Sequence, residues 1–271
     1  MNGKVIRLNR ITHNGKAVII PMDHGTTVGP ISGLTNMRAT VANIDAGGAS
    51  AVVLHKGIIK SLTEPPSCGI IMHLSASTQL AKDPNNKVIV GSVDEAIRLG
   101  ADAVSVHVNV GGCETEPEML STLGRVAAEC DEKQMPLMAM MYPRGENVGE
   151  LSHKDSVALV ARIGAELGAD IIKTVYTGDI DSFEDVVRSC PVPIVIAGGP
   201  KCNNDLELLN MVNDSMEAGA IGVSLGRNAF QHRNPTGMVQ ALRSIIVEHA
   251  TAEEALRELG MHAKESHCII R

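Results

Sequence analysis

Gly168-Ala169-Asp170-Ile171-Ile172-Lys173-Thr174 is the stretch on which the fold turns. Glycine is the natural residue just past a helix end, where φ turns positive. The apolar run behind it reads as a strand covered on both faces. Upstream, Val157, Val160, Gly164 and Leu167 keep one apolar helical face. The order is therefore helix, Gly-Ala, strand. The same punctuation returns at Gly47-Gly48-Ala49-Ser50, Gly100-Ala101-Asp102 and Gly219-Ala220-Ile221. Repetition of that kind marks a βα unit used many times.

Eight short apolar runs fit the scheme: Ala17–Asp23, Ala51–His55, Gly69–Leu74, Ala103–Val108, Pro136–Tyr142, Asp170–Thr174, Pro193–Ala197 and Gly222–Leu225. Asp94 with Glu95, and Glu116 with Glu118, place acids at two expected helix starts, where the macrodipole favours them. The pattern predicts an α/β fold, a single (β/α)8 TIM barrel spanning residues 1–271. A short N-terminal extension (about 1–16) and a C-terminal tail (about 260–271) flank it. An open doubly wound sheet is the alternative.

Composition narrows the function. Hydrophobic residues make up 44 % and charged residues 20 %, an ordinary globular balance. With no Trp, two Tyr and two Phe, the core must come from aliphatic side chains and the 13 Met. The net charge of −7, without a basic run, argues against nucleic acid or an anionic membrane as partner. The six cysteines form no CxxC pair, so free thiols in a reducing cytoplasm are expected. The start Met1-Asn2-Gly3-Lys4-Val5-Ile6-Arg7 lacks the apolar stretch of a signal peptide.

Lys173 closes its strand at the carboxyl end, where a barrel builds its active site. Burial there lowers a lysine's pKa and frees the amine, which can attack a ketone and form an imine. A lysine that merely snorkels out of a strand end is the plain alternative. The other strand ends carry Asp23-His24-Gly25, His55-Lys56-Gly57, His73, His107 with Asn109, Tyr142-Pro143-Arg144, Gly198-Gly199 and Gly226-Arg227. Tyr142 either hands a proton to a bound hydroxyl or only caps the barrel. Asp23 is either a general base or an acceptor for loop N–H groups. Gly198-Gly199 and Gly226-Arg227 follow strands seven and eight, the usual phosphate position of this fold.

Lys56 is a rival imine lysine, but it lies outside its apolar run and reads better as a cation that depresses Lys173. His24, His55, His73 and His107 raise the competing class of a metal-dependent lyase, though none share a short ligand spacing. A non-catalytic barrel that senses sugar phosphates is a third class. Neither a resident metal nor a cofactor is expected.

From about Lys4 to Leu259 the chain resembles the archaeal-type class I fructose-bisphosphate aldolases. The resemblance rests on Pro21-Met22-Asp23-His24-Gly25, Leu54-His55-Lys56-Gly57, Ser105-Val106-His107-Val108-Asn109-Val110-Gly111, Met140-Met141-Tyr142-Pro143-Arg144-Gly145, Thr177-Gly178-Asp179, Ala197-Gly198-Gly199-Pro200-Lys201 and Gly226-Arg227-Asn228. It implies a Schiff base on Lys173, with Tyr142 as proton donor and Asp23 as proton acceptor. It implies that Gly198, Gly199, Gly226 and Arg227 hold a substrate phosphate. The stretch Asp23, His24, Gly25, Thr26 and Thr27 would line the pocket together with Tyr142, Pro143 and Arg144. The family also implies a homo-oligomer, commonly a decamer.

Ala139-Met140-Met141, ahead of the Tyr-Pro-Arg triplet, is similar to a heptulosonate-forming branch. That branch implies a phosphorylated ketose donor, L-aspartate semialdehyde as acceptor and a place in aromatic biosynthesis. A bacterial branch, equally similar, joins dihydroxyacetone phosphate to the same semialdehyde on the way to an aminohydroxybenzoate. Fructose-bisphosphate cleavage is the remaining alternative.

Overall fold

The computed structural model describes residues 2–199 and 204–268, with side chains through residue 260. Its strands are β1 (Ala17–Pro21), β2 (Ala51–Leu54), β3 (Gly69–His73), β4 (Ser75–Ala76), β5 (Val88–Ile89), β6 (Ala103–Val110), β7 (Leu137–Pro143), β8 (Ile171–Val175), β9 (Ile194–Ala197) and β10 (Gly222–Ser224). The helices are α1 (Gly3–Arg10), α2 (Gly25–Val28), α3 (Met37–Ala46), α4 (Lys56–Ser61), α5 (Val93–Arg98), α6 (Glu116–Glu132), α7 (His153–Glu166), α8 (Ile180–Ser189), α9 (Asp205–Glu217), α10 (Arg227–Phe230), α11 (Pro235–Glu248) and α12 (Ala252–Cys268).

Eight strands close into a parallel barrel in the order β1-β10-β9-β8-β7-β6-β3-β2, and β4 pairs with β5 as a two-stranded antiparallel sheet beside it. The open sheet is thereby replaced by a closed one. Every expected run holds a strand, but the limits shift. Asp170 precedes β8 because its carboxylate Oδ2 accepts the Leu137 N–H at 2.8 Å. β6 runs on to Val110 because it pairs with β7 over seven residues.

Alternation along each strand sorts side chains into two cores. Ala17 and Ile19 of β1, Val53 of β2 and Ile171 of β8 fill the lumen with Met138 and Met140. Val18, Ile20, Val52 and Ile172 face outward under the helices. Lys173 has the parity of Ile171 and so points into the lumen at its upper end. α7 shows how the helices are held. Ser152 caps it by accepting from the Asp155 N–H, and its Val157, Val160, Ala161 and Gly164 are buried. A Cβ on Gly164 would stand 2.7 Å from both Ile172 and Met141, so helix and barrel meet at contact distance there.

The expected N-terminal extension contains a helix, α1, joined to the lower rim of the barrel. Lys4 pairs with Asp131 and, at 3.1 Å, with Asp170, and Arg10 pairs with Asp102. Ile11, fully buried, joins the lumen core from below. The expected tail begins inside α12 rather than after it. No helix among the described residues is long and apolar enough to cross a membrane.

Candidate active site

A cavity of about 310 Å³ opens at the carboxyl ends of the strands, and Lys173, Tyr142, Asp23 and Arg227 all line it. Lys173 reaches it from β8, between Met140 of β7 and Val195 of β9 in the ladder. It is 6 % exposed and has no hydrogen bond or ion pair among the described residues. Burial lowers its pKa from 10.5 to about 8, the nearby Asp23 opposes that shift, and the Arg144 charge adds to it. The depressing cation is therefore Arg144 and not Lys56 as the sequence suggested. Lys56 instead donates to Glu95 Oε2 at 2.9 Å and lies off this cavity.

Asp23 follows β1 and stands among histidines. His24 Nδ1 lies 3.5 Å from its Oδ1, and His73 Nε2 lies 3.7 Å from its Oδ2. Asp23 Oδ1 and His24 Nδ1, 3.5 Å apart, are both buried without a hydrogen bond among the described residues. Burial alone would raise the Asp23 pKa. The charges of His73, His24, Lys173 and His55 reverse that and hold the carboxyl well below its usual range. The histidines themselves are pushed toward the neutral form by burial: His73 to about 4, His107 well below 6.5, His24 and His55 less far. At neutral pH Asp23 thus faces one full positive charge, Lys173, and a set of imidazole dipoles. A neutral His73 next to a carboxylate keeps its proton on Nε2, so Ser105 Oγ donates to Nδ1 at 2.8 Å. His55 Nε2 meets Thr26 Oγ1 at 2.9 Å. Among the described residues no three His, Cys, Asp or Glu side chains are grouped to hold a metal ion.

Tyr142 lies in β7 two residues beyond Met140, on the same face, so it stands one step above Lys173. Burial and, less strongly, Asp23 raise its pKa far above 10, partly opposed by Arg144. It is a proton donor by default. The Arg144 guanidinium sits 4.6 Å from the centre of its ring, and the His107 ring packs 4.9 Å away on centroids.

The glycine loops lie on the other side of Lys173. Arg227 Nη2 donates to Gly199 O at 2.9 Å, and Asn228 Nδ2 donates to Gly198 O at 3.1 Å, so the β9 and β10 loops are tied into one wall. Gly199 has φ +58°, a left-handed conformation that glycine adopts freely. A Cβ at Gly226 would stand 2.6 Å from the His24 ring and 2.8 Å from Pro21 O, so bare backbone is required there. Pro200 and Lys201 of the same motif lie outside the described residues.

Most residues singled out from sequence converge here: Asp23, His24, Thr26, Thr27, Tyr142, Arg144, Lys173, Gly198, Gly199, Gly226 and Arg227. Gly25 and Lys56 line an adjoining, largely apolar cavity of about 660 Å³ with Met22, Leu34, Met37 and Ile58, which shares Asp23, Thr26 and His55 with the mouth. Pro143 closes β7 without reaching the mouth cavity. Sequence reading missed Lys87, Ser105 and Ser224. Ser105 occupies an ordinary strand position. Lys87 sits in a polar loop with no periodicity to place it. Ser224, whose buried Oγ has no hydrogen bond among the described residues, lacked any motif beyond its position before Leu225-Gly226.

A family model described as DeoC/LacD family aldolase matches residues 17–232. The 2-amino-3,7-dideoxy-D-threo-hept-6-ulosonate synthase of Halobacterium salinarum is 42 % identical over 260 residues, covering 96 % of this chain and 97 % of that protein. The 2-amino-4,5-dihydroxy-6-oxo-7-(phosphonooxy)heptanoate synthase of Streptomyces griseus is 37 % identical over 262 residues, covering 95 % of each. A solved archaeal fructose-1,6-bisphosphate aldolase, its catalytic Lys bound to the carbinolamine intermediate, matches with TM-score 0.82. That match has 31 % identity and covers 90 % of this chain and 99 % of the other.

Proposed function

The chain belongs to the DeoC/LacD family of aldolases and acts on carbon–carbon bonds through a lysine imine, and we propose that Lys173 supplies the amine. The observation that carries this reading is a buried amine with no hydrogen bond or ion pair among the described residues, its pKa near 8, facing the mouth cavity. The neutral amine adds to the ketone of a phosphorylated donor, whose phosphate rests on Gly198, Gly199, Gly226 and Arg227. Loss of water gives an iminium. Breaking the donor's carbon–carbon bond, with its β-hydroxyl proton passing to a basic group of the site and an aldehyde fragment departing, or removing its α-proton to Asp23, sends the electron pair into the iminium and leaves an enamine. The enamine carbon then attacks the aldehyde carbon of the acceptor, and Tyr142 protonates the oxygen that develops charge. Water hydrolyses the new iminium and frees Lys173.

The acceptor is L-aspartate semialdehyde and the donor a deoxy-ketohexose phosphate, as the resemblance to the Halobacterium salinarum synthase suggests. The similarity to the Streptomyces griseus enzyme favours dihydroxyacetone phosphate as a second donor. The reaction calls for no metal and no cofactor, since the iminium formed on the lysine is the electron sink. The chain works as one barrel domain in the cytoplasm, and copies assemble into a homo-oligomer, a decamer on the family pattern. Its net negative charge disfavours nucleic acid and anionic membrane as partners, and a small phosphorylated substrate depends on the local charge of the pocket instead.

Incubation of L-aspartate semialdehyde with each phosphorylated ketose, with products identified by mass, tests the reading. A seven-carbon amino-keto product is expected. Cleavage of fructose bisphosphate with no product from the semialdehyde would overturn it.

A further inference from the structure

Two serines share the height of Lys173 in the barrel, and they differ in what they bond. Followed from β8 through β9, β10, β1, β2, β3, β6 and β7, the strand registers return to β8 lower than they left it. A path of constant height therefore climbs about one residue per strand, the stagger of an eight-stranded barrel. Lys173 is level in the ladder with Val195, and Val195 with Gly222. The β10 residue at the height of Lys173 is thus Ser224, on the face of Gly222. In the other direction the ladder runs from Lys173 to Met140 and His107, and the residue at the same height is Ser105. Alternate strands fill one layer of such a lumen.

Ser105 donates to His73 Nδ1 at 2.8 Å. Ser224 is 1 % exposed, and its Oγ has no hydrogen bond among the described residues. A buried hydroxyl left so is unfavourable unless it serves a ligand. Ser224 lines the cavity that Lys173 enters, at its floor. The space above it is open to small groups. Its ladder neighbour on β9 is Ala197, and Gly226, next on its own face, has no side chain.

The chemistry says which atom comes down to it. When the Lys173 nitrogen bonds the ketone carbon, that carbon carries four groups. Nitrogen comes from β8, the phosphate arm rises to the β9–β10 loops, and the carbon chain runs toward Tyr142 of β7. The former ketone oxygen is left for the floor on the β10 side. We propose that Ser224 Oγ hydrogen-bonds this oxygen, which makes Ser224 a further catalytic residue, one that serves formation and hydrolysis of the imine. The inference rests on the imine reading above. As nitrogen bonds carbon, the carbonyl π pair moves to oxygen, which takes a proton from the new ammonium. The nitrogen lone pair then expels that oxygen, which takes a second proton from solvent and departs as water. Ser224 holds the oxygen through both transfers. In the reverse step it holds the water that attacks the product iminium.

Ser224→Ala and Ser224→Thr are mixed rapidly with excess dihydroxyacetone phosphate, quenched with borohydride and mapped by peptide mass. The rate of adduct formation on Lys173 should fall about 2- to 10-fold in Ser224→Ala, the worth of one ordinary hydrogen bond. Ser224→Thr should restore most of it. The final extent of trapping should not change, because a group that eases passage leaves the equilibrium alone. The inhibition constant of inorganic phosphate should also stay as in the parent. Should Ser224→Ala fold poorly, Ser224→Cys, a weaker donor, should show a smaller slowing. An adduct formed as fast in Ser224→Ala as in the parent would overturn the role of Ser224 alone. A weakened grip on inorganic phosphate would overturn it too, by assigning the hydroxyl to the phosphate wall. No adduct on Lys173 in the wild-type enzyme would sink the imine reading and this inference with it.

Discussion

At the lower end of the barrel, Asp102 and Asp170 each tie a cation of α1 to a strand. Asp102 takes Arg10 on one oxygen and the Ile70 N–H at 3.0 Å on the other. Asp170 takes Lys4 and the Leu137 N–H. At the upper end Lys173, Arg144 and Lys87 have no ion pair among the described residues, and one oxygen of Asp23 has no hydrogen bond. The same kinds of side chain serve opposite ends. Paired charges hold the strands in register. Unpaired ones cost stability and stay available to a substrate.

Substitutions that cross this divide should separate activity from stability. Lys173→Met is the largest case, with loss of all imine chemistry. The same change should stabilise the fold. Lys173 loses its proton near 8 when folded and near 10.5 when unfolded, so protonation opposes folding. The penalty is complete below about 8 and fades as pH rises through 10.5. At pH 7 the variant should gain up to about 3 kcal/mol in urea unfolding, the figure for a shift of this size. That gain should shrink by pH 10. A variant both inactive and less stable at pH 7 would contradict the contrast.

Tyr142→Phe comes next. Removing a general acid costs roughly 10²–10⁴-fold in kcat, and imine trapping should persist. Arg227→Ala removes a charged donor from the phosphate wall. A rise in donor KM of about 10- to 100-fold is expected, with little change for acceptor. At the lower end, Asp102→Ala strands the buried Ile70 N–H and should cost about 1–3 kcal/mol in stability. Its activity per folded molecule should match the parent. Lys4→Met is the smallest, at most about 1 kcal/mol for a partly exposed pair, read from the urea midpoint.

The two ends also differ in how far the sequence reveals them. The repeated Gly-Ala joints place the strands, because a helix stop and a buried run are local signals. At Gly100, Gly168 and Gly219 the backbone does take a positive φ, and at the first copy it is Gly48 that does so. Asp170, after one of those joints, looked like a strand residue, and only the neighbouring strand's N–H explains it. At the upper end, Lys173, Tyr142 and the glycine loops announce themselves by position after an apolar run. Lys87 does not. Its place depends on how a polar loop folds over the mouth, through Ser77, Pro84 and Asn85. The histidines show the same limit. Their number suggested a metal, while their arrangement around Asp23 depends on which strands become neighbours.

Borohydride trapping with a phosphorylated ketose, followed by peptide mapping across pH 6 to 10, tests the central claim most directly. The account predicts a single adduct on Lys173, its formation rate rising to a plateau above about 8 as the amine loses its proton. An adduct on Lys56 or Lys87, or no adduct at any pH, would contradict it.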